Sequence, residues 1–322
     1  MVAMTRSTLR ASRLAGSVVS KKALSTRKPP AGQGDWIAGL AMGAAGMRRY
    51  RLYRPAGFDP VERLPLMVML HGCGQDAKSF ARSTRMNRVA DREGFLVLYP
   101  EQDRLANAQG CWNWFDTRSG RAYGEAELIM RAIDQVCLLY MVDRERIAVA
   151  GLSAGASMAA LLVTRHPKRF KAVVMHSGIP PGSADTSLSA MSAMHGYGAA
   201  APLPTQTAAL AGLAQDSWPP LMVIHGGVDR VVSANNGHAA VKAWAEAAGA
   251  RAGEHRSLQR GKRYPMKVTD FKLKRSTVAT LVEVGQLGHA WSGGAAGQPH
   301  SDVKGPDASR MLWAFAAKQF RG

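Results

Sequence analysis

The chain has 322 residues, of which 46% are hydrophobic, enough to bury a large core in one catalytic-sized domain. No run approaches the roughly 20 consecutive apolar residues of a membrane-crossing helix, so no such helix is expected. The formal charge of +19 raises nucleic acid, anionic polymers and anionic surfaces as partners, and its distribution along the chain decides among them.

Residues 1–34 contain no acid, while Arg6, Arg10, Arg13, Lys21, Lys22, Arg27 and Lys28 lie among Ser, Ala and Thr. This reads as a basic, disordered tail or targeting segment ahead of a domain spanning 35–322. "LAGSVVS" makes a feeble secretory signal. A second basic cluster, residues 251–275, reads as exposed loop and edge strand. Neither carries a nucleic-acid-binding motif, so no specific nucleic-acid partner is expected; contact between the tail and an anionic surface stays open.

Short apolar runs then alternate with helical patterns, the signature of a mostly parallel sheet flanked by helices. The runs are "RRYRLYRP", "LPLMVMLHG", "GFLVLYP", "RIAVAG", "KAVVMHSG", "PPLMVIHGG" and "TVATLVEVGQ". Spacing predicts helices over 84–93, 124–140, 154–165 and 235–248. Residues 179–218, rich in Ala, Ser, Gly and Met and weakly periodic, read as a cap or lid inserted between two strands.

Gly151, Ser153 and Gly155 form a Gly-X-Ser-X-Gly box between a strand and a helix, where a nucleophile elbow belongs; a serine N-cap with two packing glycines is the competing reading. A serine hydroxyl needs a base and an orienting carboxylate, and the chain supplies them in the order serine, acid, histidine. Asp229 follows the strand "PPLMVIHGG", and His289 follows the last strand in a glycine-rich loop. Among nine histidines, His71 and His225 each precede a glycine at a strand end and read as structural. Donors for a developing oxyanion are expected from the backbone amides of Ala154, at the helix N-terminus, and Cys73, in "LHGCGQDA". Trp112, Trp114 and Trp291 are candidate walls of an apolar substrate groove, or else core.

The fragments "LHGCGQDA", "CWNWFD", "GLSAGASMA", "HGGVDRVV" and "GHAWSGG", in that order, resemble the short-chain polyhydroxyalkanoate (PHB) depolymerase family of α/β-hydrolases, itself similar to feruloyl and acetylxylan esterases. The resemblance covers residues 48–320. It implies a serine esterase acting on poly(3-hydroxybutyrate) or related short-chain esters, with Ser153, Asp229 and His289 at the triad positions and Cys73 at the oxyanion position. It also implies action without metal or cofactor, on a polyester or small ester as partner. A feruloyl or acetylxylan esterase is the alternative, and a basic, non-catalytic binding protein on the same fold a more distant one. Family boxes commonly carry a further glycine where this chain has Ala156. The linker and polymer-binding module of many extracellular members have no counterpart in the sequence, which argues against action on crystalline polymer. The resemblance favours secretion, with a granule-associated cytoplasmic protein as the alternative. A Cys73–Cys111 bridge would suit an oxidising compartment, whereas Cys137 reads as a small buried hydrophobe.

Overall fold

The computed structural model describes residue 30 and residues 32–59, 61–197 and 218–321. A hairpin of β1 (Asp35–Gly43) and β2 (Gly46–Arg54) precedes β3 (Leu64–Leu70), α1 (Ala77–Thr84), α2 (Met86–Glu93) and β4 (Leu96–Pro100). Then come α3 (Arg121–Leu139), β5 (Val142–Leu152), α4 (Ala154–Arg165), β6 (Ala172–His176), α5 (Ser187–Met194) and β7 (Leu221–Gly226). The remainder is α6 (Asn235–Ala248), β8 (Arg251–Ala252), β9 (Arg256–Leu258), β10 (Met266–Leu273), β11 (Ser276–Val284), β12 (Trp291–Ser292), β13 (Ser301–Asp302) and α7 (Ala308–Gln319).

The main sheet runs β1-β2-β4-β3-β5-β6-β7-β11-β10-β8, with β9 also paired to β10. Its centre, from β4 to β11, is parallel; β2 and β10 add antiparallel flanks. β3, β4, β6 and β7 are buried along their whole length because helices cover both faces, which is why they read as unbroken apolar runs and not as alternation. Ile133, Leu162 and Trp244 from α3, α4 and α6 sit in one core layer; Phe80, Val89 and Trp313 from α1, α2 and α7 sit in the other. The mostly parallel, helix-flanked sheet is the one that the run-and-helix alternation predicts, its α/β-hydrolase architecture is the one that the resemblance implies, and it brings the loops leaving the parallel strands to one carboxyl edge.

The helices over 154–165 and 235–248 fall where the spacing places them. The helix expected over 84–93 is α2, which starts at Met86 because Arg85, with φ 55°, separates it from α1. The guanidinium of Arg85 donates to the Gly293 carbonyl from across the fold, a tertiary contact with no local sequence signal. Upstream, the short α1 is set by Asp76 and Ser79, which form a reciprocal capping box. β1 was also not among the sequence-predicted runs: it is an edge strand interrupted by Gly39, with only Trp36 and Ala41 fully buried.

Residues 1–29 and 31, most of the expected tail, lie outside the described residues. The described part corrects the boundary at residue 35. Asn87 Nδ2 donates to Pro30 O at 2.8 Å, Gly34 N to Tyr53 OH at 2.9 Å and Gln33 N to Asp91 Oδ2 at 3.2 Å, so the packed domain includes Pro30. Within the expected cap, 198–217 lie outside the described residues. The described part carries α5, which Asn236 Nδ2 and Ser233 N hold through the carbonyls of Ala193 and Met194. Residues of the second basic cluster form the exposed β8 and β9 and much of β10 at the sheet edge.

Candidate active site

Ser153 stands between β5 and α4 with φ 56° and ψ −124°, a backbone conformation that costs a non-glycine residue on the order of 1–3 kcal/mol and persists only where the surroundings impose it. The surroundings do so through two glycines. A Cβ on Gly155 would collide with the carbonyls of Leu70 and His71, and one on Gly151 with the backbone of Gly155 and Ala156. Ser153 N donates to His176 O at 2.9 Å, tying the elbow to the end of β6. The N-cap alternative fails, since the Ser153 side chain makes no capping hydrogen bond.

Asp229 follows β7, and His289 follows β11, the strand beside it. His289 Nδ1 lies 2.8 Å from Asp229 Oδ2; the carboxylate accepts, so Nδ1 carries a proton. Asp229 Oδ1 accepts from Val231 N and Val232 N, both at 2.9 Å. Burial pushes the Asp229 carboxyl pKa up, but the bond from His289 and the two amides outweigh it and hold the group below its usual value, hence ionised. The Ser153 hydroxyl is hydrogen-bonded to none of the described residues, His289 included. The structure therefore brings acid and imidazole into contact and gathers serine to the same sheet edge without closing the last link.

The strand β3 leads into the loop that carries Cys73. Gly72 N is occupied by Gln75 Oε1 at 3.0 Å and Gly74 N by Gln109 O at 2.9 Å. Among the described residues, no acceptor takes the N–H of Cys73 or of Ala154. A Cβ at Gly72 would stand 3.6 Å from Ser153 Cβ, so this loop passes directly beside the elbow. Cys73 is bridged to Cys111, and Cys137 is free and buried. Beneath the bridge, Gln102 Nε2 donates to Cys111 O at 3.0 Å and to Glu125 Oε1 at 2.6 Å, while Asn113 N donates to Glu125 Oε2 at 3.0 Å. Gln75, Gln102 and Glu125 are supports that the sequence reading missed: Gln75 closes its own loop onto Gly72, while Gln102 and Glu125 meet from separate elements.

The tryptophans need correction as groove walls. Trp112 and Trp291 are fully buried, and Trp114 nearly so. Trp112 Nε1 donates to His71 O at 2.9 Å, and Trp291 Nε1 to Ser309 Oγ at 3.1 Å. They are floor beneath the site, because an indole whose N–H finds a partner packs inside at little cost. Trp291 stacks on His176, ring centroids 5.0 Å apart, and His176 Nε2 accepts from Ser292 N at 3.1 Å. His71 Nε2 accepts from Gln102 N at 3.1 Å. Burial drives both imidazoles neutral, with pKa values of about 3 for His176 and about 4 for His71.

His225, read from sequence as structural, is buried. Its Nε2 lies 2.9 Å from Val232 O and 3.6 Å from Asp229 Oδ2. The sequence signal is the histidine four residues before the acid in "HGGVD".

A profile of the family described as "Esterase PHB depolymerase" matches residues 48–259. The chain belongs to the PHB depolymerase family of carboxylic ester hydrolases. This PHB depolymerase-family chain is 34% identical over 131 residues to a poly(3-hydroxyalkanoate) depolymerase C from Paucimonas lemoignei, across 40% of this chain and 31% of that protein. It is 32% identical over 116 residues to feruloyl esterase B from Neurospora crassa, across 35% of this chain and 39% of that one. It thus spans well under half of the length of these two relatives. An acetyl xylan esterase structure from Aspergillus awamori superimposes with a TM-score of 0.64 at 18% identity, over 80% of this chain and 94% of that one, a likeness of fold.

Proposed function

We propose that this PHB depolymerase-family esterase hydrolyses aliphatic polyester or short-chain esters of the poly(3-hydroxybutyrate) kind through Ser153, His289 and Asp229. The observation that carries the reading is the 2.8 Å contact of His289 Nδ1 with the ionised Asp229, at the same sheet edge as a serine held in an elbow. In this reading Ser153 Oγ attacks the ester carbonyl as its proton passes to His289 Nε2. Asp229 fixes the tautomer and stabilises the imidazolium. The hydroxyl must close on Nε2 for that step, and such contacts are often long in unliganded hydrolases. The amides of Cys73 and Ala154 receive the developing oxyanion, the second aided by the α4 N-terminus. His289 then protonates the leaving alcohol, and water repeats the sequence on the acyl-enzyme.

An aliphatic substrate is supported by apolar side chains exposed on the segments that border this edge: Val228 and Val231 beside Asp229, and Leu188 and Met191 on α5. A feruloyl- or acetylxylan-type esterase is the second reading, favoured by the likeness to the feruloyl and acetyl xylan esterases. An ester panel of hydroxybutyrate oligomers, amorphous polymer granules, acetylated xylan and feruloyl esters, run with wild type and Ser153→Ala, tests both. The expected result is preference for hydroxybutyrate esters, with turnover and serine-probe labelling abolished in the variant. Preference for aryl or sugar esters would select the second reading, and an active Ser153→Ala would remove the triad.

A further inference from the structure

Asp229 sits in the loop between β7 and α6, whose neighbouring Val228 and Val231 are exposed; something inside the fold has to hold so exposed a loop still. Both amide donors to Asp229 Oδ1 belong to that same loop, so they shape it without anchoring it. Backbone bonds from Gly227 N to Val284 O, Val228 N to Leu287 O and Ser233 N to Met194 O pin its two ends; at Val232, whose amide holds the carboxylate, the side-chain anchor comes from the strand. His225, 1% exposed on β7, reaches the Val232 carbonyl with Nε2 at 2.9 Å. A carbonyl only accepts, so Nε2 carries the proton and donates, and Nδ1 is the bare nitrogen. Nδ1 is buried and has no hydrogen-bond partner among the described residues. It faces Gly237 of α6, where a Cβ would stand 3.1 Å away.

We propose that His225 is a positioning residue of the ester hydrolase: its Nε2–H holds the Val232 peptide, and through it the Asp229 carboxylate, in register with His289. The chain of contacts is continuous. His225 Nε2–H donates to Val232 O, Val232 N–H donates to Asp229 Oδ1, and Asp229 Oδ2 receives His289 Nδ1–H. The same His225 N–H lies 3.6 Å from Asp229 Oδ2, too long for a hydrogen bond yet close enough for its positive end to favour the ionised carboxylate. Burial keeps the imidazole neutral by lowering its pKa, against the raising effects of Val232 and Asp229. A neutral ring leaves Asp229 to stabilise the one imidazolium that forms during turnover, on His289. The vacant Nδ1 and side-chain-free Gly237 fit this arrangement: a second donor on the ring would require Nδ1–H, and no acceptor is provided for it.

The inference rests on the triad reading above, and the experiment separates the two. His225→Phe keeps an aromatic ring and removes the donor; His225→Gln restores an N–H of similar reach. In His225→Phe, kcat should fall roughly 10- to 100-fold, since about 1 Å of misplacement can cost that much, with KM within about twofold. His225→Gln should recover most of the loss. The pH profile of kcat/KM should change in His225→Phe and return toward wild type in His225→Gln. On the unmodified enzyme, nitrogen-15 NMR should show a neutral Nε2–H tautomer for His225 at pH 7, a result independent of any variant's folding. A protonated ring or an Nδ1–H tautomer would overturn the proposal, as would wild-type kcat and pH profile in His225→Phe. If that variant were fully active while His289→Ala was dead, the triad would stand and only His225's role would fall. An active His289→Ala would remove the triad itself.

Discussion

Asp229 and His289 are hydrogen-bonded to each other, so their contributions to turnover should not add. His289→Ala is expected to cost several orders of magnitude in kcat and Asp229→Asn somewhat less, with the double variant scarcely worse than His289→Ala alone; additive losses in a kinetic cycle would mean that the two do not work as a unit. Two other histidines control stability instead. The unfolded chain protonates His71 and His176 below about pH 6.5, whereas the folded protein does so only near 4 and 3. Between those values the unfolded state binds more protons, so stability rises with pH and is lost as pH falls from about 6.5. Denaturant titration should find the protein on the order of 2–4 kcal/mol less stable at pH 5 than at pH 7. The His71→Gln, His176→Gln double variant should flatten that slope. The neutral state of both rings follows from burial among tryptophans and from amide donors 31 and 116 residues away in the chain, which no local reading of "LHGCG" or "VVMHSG" supplies.

Among the elements, the loop after β3 depends on support from well along the chain. Its Cys73 is bridged to Cys111, 38 residues on, and Gln102 and Glu125 hold the far side of the bridge. Replacing both cysteines by serine should lower stability by about 4 kcal/mol on chain-entropy grounds. It should also reduce kcat by tenfold or more with little change in KM, because the Cys73 amide is the proposed oxyanion donor and acts mainly in the transition state. Denaturation and steady-state kinetics on the same preparation would check both. A variant that lost stability but kept kcat would leave the bridge purely structural. The helix after the elbow was readable to the residue, since Gly151 and Gly155 act through steric exclusion within a few residues. The break at Arg85 and the burial of Trp112 and Trp291 were not, since each depends on a partner brought in by another element.

Over the whole molecule, one basic concentration lies along α2 and α7. A cavity of about 800 Å³ along α2 and α7 is lined by Arg92, Arg260, Arg263, Arg310 and Lys318, with Met311 and Trp313 among its apolar lining. The basic segment 1–29 joins the fold at Pro30, which is bonded to Asn87 on α2. Deleting residues 1–29 removes seven basic side chains and lowers the formal charge from +19 to about +12. The truncated protein should hydrolyse soluble short esters within about twofold of the full chain. It should still bind a cation-exchange resin and elute at lower salt, since the folded body keeps most of the charge. Loss of folding or turnover would place part of that segment inside the domain. Truncation at residue 34 should instead destabilise the protein, because it removes the contacts of Pro30, Gln33 and Gly34.

The sequence by itself determined what local physics decides. Unbroken apolar runs require strands covered on both faces, the Gly-X-Ser-X-Gly spacing requires a tight strand-to-helix turn, and the order serine, acid, histidine matches one relay chemistry. Asp229 and His289 are 60 residues apart and meet because β7 and β11 are neighbours in the sheet, with β8, β9 and β10 displaced to its edge. That adjacency also makes His225 a neighbour of the acid and not merely a histidine near it in the chain. Sheet order is a property of how whole faces pack, to which every strand contributes. Tertiary structure alone therefore decided that His225 also approaches the carboxylate, which tryptophans are buried, and that Pro30 contacts the fold.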